Sequence, residues 1–158
     1  MYLDGLTFLE EEREAFRPFE ALAELSDDQL SRPVAAAHGW SGRDLMGHLL
    51  AWQSFALEAA RELAMGEASP TIERVRALWD QGGDALNARL SAEWAERPLV
   101  ELRERYRTLP GELRGYLTVV PETRWVKHAR HLGFLLAQTT EHYEEHRADL
   151  AAILAAAA

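Results

Sequence analysis

The 158-residue chain has no cysteine. Disulfides, thiolate ligands and a cysteine nucleophile are therefore excluded from within it, and any sulfur chemistry must use a sulfur brought from outside. Lysine is nearly missing as well: Lys127 stands alone, and the other basic residues are scattered arginines. With 26 acidic residues against 17 basic ones, the formal net charge is −9. Such a charge argues against a nucleic-acid backbone or an anionic membrane surface as partner. No apolar run approaches the roughly 20 residues of a membrane span; the longest is the tail from Leu150 to Ala158. Met1-Tyr2-Leu3-Asp4 is not a basic stretch followed by an apolar one, so no targeting signal is read there. Alternating strand patterns are nearly absent. There is no glycine-rich phosphate loop and no Gly-x-Ser-x-Gly elbow. These absences lead to the expectation of a cytoplasmic protein that uses neither membrane nor nucleic acid.

What is present is helical periodicity in a chain 47% hydrophobic, enough for one core in one domain, residues 1–158. A first helix is expected from Leu3 to Leu25, with Leu6, Leu9, Phe16, Phe19, Leu22 and Leu25 inward and Pro18 kinking or restarting it. Ser26 to Gly39 reads as a connector. Ser41 is a good N-cap, with Asp44 three residues on, for a second helix that stops near Gly66. A third runs from Pro70 to about Ala95 with Trp79 among its apolar positions and Gly82-Gly83 weakening its middle. A fourth segment runs from Pro98 to Leu117, Tyr116 on its apolar face, and the last from Ala129 to Ala155. The pattern is all-α, and its natural architecture is a four-helix bundle, where metal sites form between facing helices.

Two of these helices place histidine where hydrocarbon is expected. His142 and His146 are four apart, one turn of a helix, on the stripe of Leu132, Leu135, Leu136, Thr139, Leu150 and Ile153. His48 shares the stripe of Leu45, Leu49, Trp52, Phe55, Ala59 and Leu63. Buried imidazoles need partners, and a shared divalent metal is the simplest one. Three protein ligands leave a fourth position open, as in catalytic zinc sites. His142 to His146 also fits the His-x-x-Glu-His pattern of inverted zinc proteases. Glu145 lies about 100° off the ligand face, however, and too little chain follows for a further acidic ligand. Glu144 and Glu145 are read as surface carboxylates. His38, His128 and His131 are read as structural, His131 lying off the stripe; for His128 and His131 the alternative is a place at the mouth of the site. Trp52, one turn past His48, is the best pocket wall, and Asn87 a substrate-contact amide. Arg43 and Arg147 flank the motifs and are read as partners of bundle carboxylates rather than anchors of an anionic substrate.

The segment Trp-Ser-Gly-Arg-Asp-Leu-Met-Gly-His-Leu, residues 40–49, together with His-x-x-x-His-Arg at 142–147, resembles the DinB-like superfamily. The resemblance implies a four-helix bundle of up-down-down-up topology and a divalent metal held by His48, His142 and His146. It also implies relatives that work with low-molecular-weight thiols, or that hydrolyse a reactive toxin, and a possible homodimer. Combined with the residues, it gives the expectation of an enzyme with a zinc or nickel ion acting on a small electrophile by thiol transfer or hydrolysis. The alternatives are a non-catalytic bundle that binds metal or sequesters a small molecule, and one that only mediates protein contacts.

Overall fold

The structure, a computed structural model, describes residues 4–158; Leu3, the expected start of the first helix, lies outside them. Helix α1 spans Gly5–Phe16 and is capped by Asp4, whose carboxylate accepts the Thr7 amide at 2.8 Å. Pro18 lacks an amide hydrogen, so the expected helix to Leu25 is shortened. From Arg17 to Glu24 the chain tightens into a 3₁₀ segment that still buries Phe19 and Leu22. Leu6 does not face inward: it is 65% exposed. The buried stripe of α1 is Gly5, Phe8, Glu12 and Phe16, and Leu6 falls between its members at about 100° per residue.

The connector is more ordered than expected. It holds the short α2, Asp27–Ser31, with a Ser26–Gln29 capping box, and a 3₁₀ turn over Ala35–Ala37 that ends at His38 in a left-handed conformation. Helix α3, Gly42–Met65, begins with the anticipated pair: Asp44 and Ser41 exchange side-chain to backbone bonds at 2.9 and 3.1 Å. It is the central helix, packed on α4 (Pro70–Ala95) and α5 (Leu99–Val119) and also touching α2 and the helical segments Ala129–Gln138 and Arg147–Ala157. Its residues 45–53 are all buried, which a helix surrounded by neighbours requires.

Gly82 interrupts α4 with φ 155°, ψ 96°, a backbone that only glycine adopts without strain. Trp79 before this kink is half exposed rather than inside. Its ring lies over Gly83, where a Cβ would come within 2.8 Å of it. Tyr116 on α5 is likewise only partly covered, at 37% exposure.

The last helix is not continuous. It is divided into α6 (Ala129–Gln138), α7 (Thr140–Glu145) and α8 (Arg147–Ala157). The breaks fall at Thr139 (φ −124°, ψ −104°) and His146 (φ −105°, ψ 8°). The Thr139 hydroxyl donates to the Leu135 carbonyl at 2.7 Å, a bond that competes with helical continuation. Among the described residues no helix is long and apolar enough to cross a membrane.

Candidate metal centre

Helix α3 carries His48, α7 carries His142, and the junction between α7 and α8 is His146 itself. His48 and His142 are each 6% exposed, and the His146 side chain 14%. The three rings meet with centroids 4.8 Å apart in every pair. One ligand atom from each lies within 4.8 Å of the others. Nε2 of His142 and Nε2 of His48 are 2.9 Å apart, a separation that a single ion can span. The break at His146 therefore does not disperse the cluster, although the two α7-side ligands are not on one unbroken helix.

Burial keeps the His48 and His142 rings neutral. Burial lowers the pKa of His48 to about 4, aided by the nearby His146 and opposed by Asp149. Burial also lowers His142 to about 3, with His48 and His146 adding repulsion. Neutral imidazole is the form that ligates a metal. The donor set thus fits a divalent metal ion.

Asp149, which the sequence pattern did not single out, orients the third ring. His146 Nδ1 donates to Asp149 Oδ2 at 3.0 Å, leaving Nε2 for the centre. Asp149 is 7% exposed, and its other oxygen lies 3.0 Å from Nδ1 of His38. The one available signal was the acid three residues after His146, and such an acid usually lies in solvent. Trp40 stacks on His146 at 5.6 Å and meets His48 edge-on at 5.0 Å, closing one side of the cluster.

The three histidines share a cavity of about 1040 Å³ with Trp52 and Asn87. Trp52 Nε1 donates to Asn87 Oδ1 at 2.9 Å, which fixes both side chains in the wall. Arg43 has a different role: it donates to the carbonyls of Ala95 and Arg97, at the C-terminal end of α4. Arg147 pairs with Glu144 at the surface. Glu145 is exposed on the cavity rim. His131 corrects its expected placement: it is 7% exposed, its Nδ1 donates to the Arg124 carbonyl, and it stacks on His128. Neither of this second pair lines the cavity.

The fold and cluster define a class: an all-helical protein with three imidazoles converging inside it, each from a separate backbone position. Residues 9–151 match the family model described as the mycothiol maleylpyruvate isomerase N-terminal domain, and the chain belongs to that family, within the DinB-like superfamily. No curated protein and no solved structure matches it.

Proposed function

We propose that this protein is a metal-dependent enzyme acting on a small electrophile, by thiol transfer or hydrolysis, with His48, His142 and His146 as ligands of a divalent ion. The observation that carries the proposal is the convergence of three imidazoles within 4.8 Å on the wall of one large cavity. Family membership supports reading residues 1–158 as one four-helix-bundle domain of up-down-down-up order, and makes mycothiol the first thiol to test.

A zinc- or nickel-class ion on three neutral imidazoles supplies Lewis acidity that makes a water or thiol nucleophilic near neutral pH. The chain's residues supply the rest. Asp149 holds the His146 ring by its Nδ1–H. Trp52 and Asn87 form a rigid wall against which a substrate lies. Trp40 excludes water from one side of the cluster. Because the chain has no cysteine, the sulfur in a transfer reaction comes from a cosubstrate.

The test is metal analysis of protein purified without a histidine tag, then turnover of model electrophiles by metal-loaded, metal-free and His48→Ala protein with several thiols. The loaded protein is expected to accelerate attack and the other two are not. Equal rates for all three would make the bundle a non-catalytic binder of metal or small molecules.

A further inference from the structure

Gln138 ends α6, just before the break at Thr139, and lines the cavity that the histidines share. It stands four residues ahead of His142 in the chain. The residue is 8% exposed. Its side-chain amide has no hydrogen-bond partner among the described residues, yet neither polar atom is one of those sealed from solvent. Both ends of the amide are therefore open to whatever fills the cavity. The other polar groups of the wall are committed or wet. Asn87 Oδ1 accepts from Trp52, and Arg76 donates to the Arg130 carbonyl. Asp80, Ser91 and Glu145 are exposed.

A ligand that enters the cavity displaces water from this amide, and loses affinity unless it replaces the bonds that water made. A side-chain amide offers a carbonyl acceptor and an NH₂ donor side by side. A carboxylate would meet the donor and oppose Oε1. An ammonium would meet Oε1 and leave Nε2 idle. A carboxamide matches both ends at once: its N–H donates to Oε1, and its carbonyl accepts from Nε2. It is also neutral, which suits a wall that bears the acids Asp80 and Glu145. We infer that Gln138 sets the specificity of this cavity by taking a carboxamide on the molecule whose reactive end lies at the three histidines. The inference rests on the metal-dependent reading above for what happens at that reactive end. Trp52 and Phe134, on the same wall, offer flat apolar surface to the stem that joins the two ends. The carboxamide belongs either to the electrophile or to the thiol cosubstrate, and the same chemistry recognises both.

The experiment titrates wild type, Gln138→Leu and Gln138→Met with two pairs of neutral probes, and follows the fluorescence of the tryptophans that line the cavity. Fumaramide is compared with dimethyl fumarate for the electrophile, and mercaptoacetamide with methyl mercaptoacetate for the thiol. Each ester keeps the carbonyl and lacks the N–H. In at least one pair the ratio of amide to ester affinity is expected to be about 3- to 10-fold higher in wild type than in either variant, the worth of one neutral hydrogen bond. The pair that shows the difference identifies which molecule carries the carboxamide. A merely structural Gln138 would weaken amide and ester alike and leave the ratio where it was. Ratios that agree between wild type and variants in both pairs overturn the assignment. Circular dichroism establishes that the variants fold; if Gln138→Leu does not, Gln138→Met, which keeps the length of the side chain, decides. The titrations are run on metal-free and metal-loaded protein. A shift in ratio in protein that takes up no metal retains the Gln138 assignment and removes the metal-dependent reading. Metal-dependent turnover with no shift in ratio removes the Gln138 assignment alone.

Discussion

At the scale of single residues, Asp149 decides how the third histidine is presented. A neutral imidazole has two tautomers, and the bond from His146 Nδ1 to Asp149 selects the one whose Nε2 is free to coordinate. Asp149→Asn keeps the size and removes the charge that favours the Nδ1–H form. Metal affinity is expected to fall by about 10- to 100-fold, as for other carboxylates behind ligating histidines, with little change in helicity. Calorimetric metal titration checks this, and an unchanged affinity would leave Asp149 a mere packing group. The three histidines were legible in the sequence because an imidazole on an apolar stripe stands out at helical spacing. Asp149 was not. A lone acid on a helix reads as a surface charge until the fold brings His38 and His146 to it. Trp52 and Asn87 line the cavity, and Trp40 is the ring against two of the histidines.

At the scale of elements, α7 is held in place by a buried polar cluster beside the histidines. The Tyr143 hydroxyl donates to Glu12 Oε2 at 2.9 Å and accepts from Gln53 at 3.0 Å, and Arg114 pairs with the other Glu12 oxygen. Helices α1, α3, α5 and α7 thus meet at one ion pair, whose carboxylate side chain is 2% exposed. Arg114→Ala would leave Glu12 charged and buried, and is expected to cost about 3–5 kcal/mol. Glu12→Gln together with Arg114→Met should restore part of that loss. Chemical denaturation of both variants measures it, and a loss near zero for Arg114→Ala would show that the pair is screened by solvent. Caps and glycine breaks were readable along these helices: the Ser41–Asp44 box and the Gly82 kink both stand where their residues placed them. The breaks at Thr139 and His146 carry no proline or glycine, and the apolar stripe continues across them, so periodicity alone runs straight through. Gly82→Ala tests the kink. Its φ of 155° is strained for any side chain, so a loss of about 1–3 kcal/mol is expected, with an altered Trp79 fluorescence. Full stability in that variant would show that α4 can straighten.

For the whole molecule, the histidine cluster makes stability depend on pH in a range where the many carboxylates contribute little. The folded-state pKa values of His48 and His142, about 4 and about 3, lie below the 6.5 of the free side chain. Between these limits the unfolded chain binds more protons than the folded one, so stability rises with pH. In metal-free protein this contribution is fully present above about pH 6.5 and drains away as pH falls toward 4. The slope approaches about 1.4 kcal/mol per pH unit for each group that is fully protonated in the unfolded state only. The loss therefore begins well above the range in which Asp and Glu titrate. Metal loading raises the whole curve, because an ion that binds only the folded form stabilises it by mass action. It also steepens the acid limb, since protons compete with the ion for the same nitrogens. Thermal denaturation from pH 8 to pH 4 checks both statements on metal-free and metal-loaded wild type and on His142→Gln. The wild-type Tm should decline from about pH 6.5 downward, and His142→Gln should decline less. A Tm that stays level in metal-free wild type down to pH 4.5, or an identical decline in His142→Gln, would mean that the rings are solvated enough to protonate in the folded state. A cluster so wet would also lose the neutral donors on which the proposed metal centre depends.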